Sequence, residues 1–322
     1  MAPSIIALII AYSLQTASTF NWLVKYFAEV EMNMNSIERL DEYVKQLNHE
    51  APAEIQDRRP KNEWPEYGEI YFRDVSMRYR SDLPLVLQCL SFHVKPGERI
   101  GIVGRTGSGK SSTIQALFRM VELSDGIIEI DGKDIASIGL NDLRRRLAII
   151  PQDALLFSGT LRFNLDPFEK YTDQQIWAAL DRASIKGYIL TLPGGLDAEV
   201  LEGGENFSIG QRQLIGLAKA MLQKPKILIM DEATASVDLK TDLLIQCALR
   251  EDFSQATVLC IAHRLNTIID FNKVLVIQDG RCIEFDTPES LLSKPHSLFT
   301  AMVNETGEQN ADLLKLLAKK RV

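Results

Sequence analysis

The stretch "GIVGRTGSGKSST", from Gly101 to Thr113, limits what this chain can fold into more than any other. It holds four glycines, of which Gly104, Gly107 and Gly109 lie with Lys110 between the apolar run "RIGIV" and "SSTIQALFRM", whose apolar residues fall at helical spacing. Glycines at a strand-to-helix junction let the backbone wrap a phosphate with its amide N–H groups turned inward. The start of the helix then adds its positive end. Gly104 to Ser111 reads G-R-T-G-S-G-K-S and fits G-x-x-x-x-G-K-[ST], in which the lysine reaches the outer phosphates and the hydroxyl ligates Mg²⁺. The expected nucleotide contacts are Gly104, Arg105, Thr106, Gly107, Ser108, Gly109, Lys110, Ser111 and Ser112, with Ser111 also on the metal.

A second motif supplies carboxylates. "KILIMDE" is an apolar, strand-like run that ends in Asp231 and Glu232. Asp231 at a strand end can hold Mg²⁺, and Glu232 can polarise a water that attacks the terminal phosphate. "EIYFRDVSMRY" alternates like a strand, and "LSFHVKPGERIGIVG" reads as strand, Pro-Gly turn, strand. "ATVLCIAHR" is apolar enough to be buried on both faces of a parallel sheet. "KVLVIQDGRCIEF" predicts a hairpin around Asp279-Gly280. Helical patterns lie between these runs, so residues 69–302 predict an α/β domain.

The N-terminal part is different. Residues 4–27, "SIIALIIAYSLQTASTFNWLVKYF", have the length of a membrane span, although Gln15, Thr16, Ser18, Thr19 and Asn21 interrupt the apolar run. Residues 28–47 predict a polar helix with Ile37, Leu40, Val44 and Leu47 along one face. Together, 1–50 read as a transmembrane helix with a helical extension. Residues 51–68, charged and proline-bearing, read as a linker, and 303–322 as a helical tail. A net charge of −7 over 322 residues argues against a nucleic-acid partner, and Arg144-Arg145-Arg146 reads as a solvated face. The four cysteines form no CxxC pair and read as reduced, buried thiols.

Between the two phosphate-site motifs lies "ENFSIGQRQLIGLAKAML". With these motifs in this order, the chain resembles the nucleotide-binding domain of ATP-binding cassette (ABC) transporters. More narrowly, it is similar to the second cassette of subfamily C, the multidrug-resistance-associated or glutathione-conjugate pump type, as a C-terminal fragment with the last transmembrane helix. The resemblance implies a P-loop NTPase fold with a helical subdomain and an antiparallel β subdomain. It also implies ATP and Mg²⁺ as cofactors, and a cassette in the cytoplasm attached to a membrane, plasma or vacuolar. Its partners would be a second cassette and the remaining transmembrane domains.

Residue by residue, the resemblance implies that Tyr79 stacks on adenine and that Gln152 touches Mg²⁺ and the attacking water. Glu232 and His263 would act on the γ-phosphate side. Phe207, Ser208, Ile209, Gly210 and Gln211 would form the signature that contacts ATP on the other cassette, with Asp238 at the cassette interface. Phe207 stands where the family has leucine. The implied activity is ATP hydrolysis that powers export of organic anions or conjugates. The alternatives are a regulatory cassette of a channel or receptor, or a truncated fragment that does not transport.

Overall fold

A computed structural model describes residues 3–47, 50–231, 239–262 and 264–319. The chain divides into two compact units, Met1–Ala51 and Pro52–Val322.

The first unit is helix α1 (Pro3–Gln46), 44 residues long. The segments predicted as a span and a polar extension form one continuous helix, because neither glycine nor proline occurs between Ser4 and Gln46. An 18-residue window of it has a mean hydropathy of 1.3, so α1 is long and apolar enough to cross a membrane by length and composition. Three of the hydroxyls near the span are satisfied inside the helix. Ser13, Thr16 and Thr19 donate to the carbonyls of Ile9, Tyr12 and Gln15, each four residues back, at 2.8, 2.7 and 2.9 Å. Such back-bonding makes a hydroxyl tolerable in an apolar surrounding.

The second unit opens with the segment predicted as a linker, and this segment packs against the domain. Leu140 N and Asn141 N donate to the carbonyls of Pro52 and Ala53 at 3.1 and 2.9 Å. Trp64 is 6% exposed, and its indole N–H donates to Ile130 O at 3.1 Å.

Strands β1 (Ile70–Met77) and β2 (Leu87–Val94) lead into β3 (Arg99–Val103), and the glycine-rich loop follows before α2 (Lys110–Leu117). Next come β4 (Asp125–Ile130), β5 (Lys133–Asp134), α3 (Leu140–Arg144) and β6 (Leu147–Ile150). The helical part of the fold is β7 (Gly159–Thr160), α4 (Leu161–Leu165), α5 (Asp173–Arg182), α6 (Lys186–Thr191), β8 (Glu199–Val200) and α7 (Ile209–Gln223). The chain then re-enters the sheet with β9 (Ile227–Asp231), α8 (Leu239–Glu251), β10 (Thr257–Ile261), β11 (Lys273–Gln278) and β12 (Arg281–Asp286). It ends with α9 (Pro288–Ser293), α10 (Leu298–Glu305) and α11 (Glu308–Lys319).

The central sheet runs β12-β11-β3-β10-β9-β6, with β11, β3, β10, β9 and β6 parallel and β12 antiparallel at one edge. A separate antiparallel sheet runs β2-β1-β4-β5. Two apolar cores sit on opposite faces of the central sheet, and strand alternation divides the residues between them. Ile100, Ile102, Ile227, Ile229, Leu259 and Ile261 join the antiparallel sheet and α2. Val103, Leu228, Met230, Val258 and Cys260 join α5, α7, α8 and the C-terminal helices. Burial on both faces explains why these strands read as unbroken apolar runs. The hairpin β11–β12 turns at Asp279 and Gly280, with φ of 50° and 74°, the primed-turn geometry that an Asp-Gly pair favours.

Two expectations are corrected. Only Cys260 is buried. Cys89 and Cys247 are exposed and Cys282 is half-buried, because on a strand or helix with one solvated face neighbouring apolar residues do not ensure burial; none of the four is in a disulfide. Arg144 is half-buried rather than on a solvated face: its guanidinium donates to Phe118 O and Arg119 O at 3.1 and 2.8 Å.

Candidate nucleotide-binding site

The parallel strands bring the glycine-rich loop, Asp231 and Gln152 to one edge of the sheet. Ile261 at the end of β10 pairs with Ile102 of β3 on one side and with Asp231 of β9 on the other; Met230 pairs with Ile150 of β6. The glycine-rich loop, Asp231 and the Pro151-Gln152 segment therefore leave neighbouring strands at the same carboxyl edge, where open α/β sheets bind ligands.

The loop is held from both sides. Gly104 has φ 158°, and a Cβ there would lie 2.2 Å from Ile277 O and 2.5 Å from Ser108 Oγ, so only glycine fits. Gly280 N of the β11–β12 hairpin donates to Ser108 O at 2.9 Å. Lys110 Nζ reaches back across the loop to Gly104 O and Arg105 O at 2.9 and 3.1 Å. Ser108 Oγ is buried without a hydrogen-bond partner among the described residues. A Cβ at Gly107 would meet nothing within 4 Å, so that side of the loop is open. A backbone cradle with an orphaned hydroxyl, a cation and an open side suits an anionic phosphate chain.

Tyr79 lies beside this loop. Its hydroxyl is 2.8 Å from Ser112 Oγ in the first turn of α2, and the residue is 44% exposed. Ser111 is exposed and Ser112 buried. Beside β9, burial first, then the charges of Asp231 and Asp242, push the Cys260 thiol up to about 12. Gln152 is exposed just past β6.

The signature residues lie at the start of α7. Ser208 is its N-cap in a capping box: Gln211 N donates to Ser208 Oγ at 3.2 Å, and Ser208 N to Gln211 Oε1 at 2.9 Å. Phe207 is 4% exposed and meets Tyr188 edge-on at 6.2 Å, so its extra bulk is absorbed by the helical core and Ser208 stays on the surface. Ile209 is 41% exposed and Gly210 half-buried. Glu232, Asp238 and His263 lie outside the described residues. One contact was not anticipated: buried Gln213 of α7 donates to the carbonyls of Pro151 and Gln152. Its position six residues past Phe207 on a predicted helix carried no signal of a loop contact.

The family profile described as "ABC transporter" matches residues 87–235, which take in the glycine-rich loop, the signature and Asp231. Residues 87–235 therefore carry an ABC transporter domain. It is 49% identical over 97% of its length to ATP-binding cassette sub-family C member 2 of Rattus norvegicus. It is 51% identical over 99% of its length to ABC transporter C family member 12 of Dictyostelium discoideum, and 49% identical over 96% to metal resistance protein YCF1 of Saccharomyces cerevisiae. The chain spans 20%, 24% and 20% of these three relatives. Among solved structures, that of a bacterial Atm1-family ABC exporter with ATP bound superposes with a TM-score of 0.75. The two are 32% identical, and the match covers 87% of this chain and 48% of the exporter chain. With this domain, the second unit has the α/β core, helical subdomain and antiparallel β subdomain expected of an ATP-binding cassette.

Proposed function

We propose that this chain is an ATP-hydrolysing cassette and membrane helix of a two-cassette exporter that moves organic anions or conjugates. The observation that carries the reading is the strand-end register that gathers the Lys110 loop, Asp231 and Gln152 at one sheet edge. In this reading, residues 104–112 hold the phosphates of ATP and Tyr79 stacks on its adenine. The hydroxyl contact to Ser112 presets the tilt of the tyrosine ring. Mg²⁺ would be held by Ser111, Gln152 and Asp231 and would neutralise charge on the phosphates. Glu232 orients and deprotonates the attacking water, and His263 contacts the γ-phosphate. Most of the rate comes from positioning and charge stabilisation.

The Ser208–Gln211 surface serves ATP held by a partner cassette, and the partner's signature serves this one. Asp238 lies at the interface between them. The helix α1 belongs in a bilayer with the transmembrane helices of the whole transporter, in a plasma or vacuolar membrane with the cassette on the cytoplasmic side.

The test is ATP binding and turnover by the full chain in lipid nanodiscs, alone and with a matching first cassette. Lys110→Ala should weaken ATP binding by about tenfold or more, since it removes a charge-assisted contact. Glu232→Gln should keep binding and lower turnover by roughly 10²–10³-fold. Turnover that the Glu232→Gln change leaves intact would overturn the catalytic assignment. Binding without turnover in either setting would favour a cassette that gates rather than pumps.

A further inference from the structure

Gln213 sits in the second turn of α7 and is 1% exposed. Its Nε2 donates to two successive carbonyls, Pro151 O at 3.1 Å and Gln152 O at 2.6 Å. The amide therefore commits its donors to the segment that leaves β6 and carries the Gln152 side chain. The other end of the same side chain is a liability: Oε1 is buried and has no partner among the described residues. An apolar residue of equal length would avoid that penalty. Pro151 and Gln152 are themselves exposed, so their carbonyls could turn to water. Stability gives little reason for glutamine at this position. Geometry gives one: the two bonds fasten a helix to a loop. The N-terminal turn of that helix is closed by the Ser208–Gln211 capping box, which makes the segment from Ser208 to Gln213 a stiff lever.

We propose that Gln213 is a positioning residue. It ties the loop at Gln152, which faces the chain's own nucleotide, to the helix start that presents Ser208 to a partner's nucleotide. The inference rests on the reading of Gln152 and Ser208 given under the proposed function. A shift of the loop on ATP binding moves α7 with it. Without the two bonds, the loop responds alone. The coupling runs through backbone carbonyls, so it does not depend on the Gln152 side chain.

The test is hydrogen–deuterium exchange of the full chain in nanodiscs, with and without Mg-ATP, followed separately in peptides covering the loop after β6 and the first turns of α7. Binding of a fluorescent ATP analogue is measured in parallel. In the parent, ATP should alter exchange in both segments. In Gln213→Met, analogue affinity and the loop response should be kept, while the α7 response falls by about fivefold or more, the scale of an ordinary coupling energy. Gln213→Leu also removes the donors with a smaller apolar side chain, and gives the same readout should the methionine variant fail to fold.

A Gln213→Met chain in which ATP still alters both segments would overturn the inference. So would a parent in which ATP alters the loop and leaves α7 unchanged. Failure of the analogue to bind the parent at all would instead bring down the reading of the nucleotide site, and the inference with it.

Discussion

At the scale of single residues, the site depends on groups whose surroundings fix what they can do. Lys110 is folded onto the carbonyls of Gly104 and Arg105, so its cation is already aimed into the loop. Gly104 is irreplaceable on steric grounds, since even a methyl group would strike Ile277 O. Cys260 shows the other side of burial. Its thiol is pushed up to about 12 from an ordinary 9.0, so it stays neutral and unreactive beside Asp231. The folded state thus holds this proton more tightly than the unfolded one. Its contribution to stability is complete below about pH 9 and is lost as the pH rises towards 12. Alkaline unfolding monitored by circular dichroism should show this loss, and Cys260→Ala should flatten it. In native maleimide labelling, the exposed Cys89 and Cys247 should react while Cys260 stays protected until the chain unfolds.

At the scale of elements, helix starts do two different jobs with the same chemistry. α5 and α7 both open with capping boxes, Thr172 with Gln175 and Ser208 with Gln211. Thr172→Ala and Ser208→Ala should each cost about 1 kcal/mol in thermal unfolding, the usual worth of an N-cap hydroxyl. On the proposed function, only Ser208→Ala should also lower the turnover of a paired cassette, because Thr172 faces no nucleotide. Equal effects on turnover would mean that the cap, not the contact with ATP, is what matters at Ser208. The β11–β12 hairpin is a second example. Gly280, at φ 74°, lets the turn approach Val86 and donate to Ser108 O. A Cβ at this position would lie 2.1 Å from Val86 O, so Gly280→Ala should loosen the phosphate loop as well as the hairpin. Weaker ATP-analogue binding without loss of the fold would be the sign of it.

At the scale of the whole molecule, the two units have different environments. α1 exposes its apolar side chains along its whole length, while Pro52–Val322 carries its own two-sided core. Residues 52–322 should therefore be soluble without detergent, whereas the full chain should partition into liposomes; co-flotation assays read both. The segment 52–68 belongs with the domain because Trp64 anchors it. Trp64→Ala should cost about 3–5 kcal/mol, the range for removing a large buried aromatic side chain. A chain shortened to begin at Glu69 should show a comparable loss of thermal stability.

The sequence determined by itself whatever depends on local chemistry. The loop from Gly104 to Ser111 was legible because phosphate binding demands that spacing, and the apolar runs were legible because burial on two faces leaves no polar alternation. The Asp279-Gly280 turn was legible because both residues must adopt positive φ. Tertiary structure decided everything that depends on partners distant in the chain. Charge and proline hid the packing of 52–68, in which Trp64 bonds to a carbonyl 66 residues away. Gly101 reads as a strand residue, but only the fold shows why it is glycine: a Cβ there would lie 2.7 Å from the Ile268 side chain. Gln213 reads as one more polar helix residue, and only the packing of α7 on the end of β6 brings its amide to Pro151 and Gln152. A spacing rule reports which residues share a loop or a face; which two elements then share a hydrogen bond is settled only when the core between them closes.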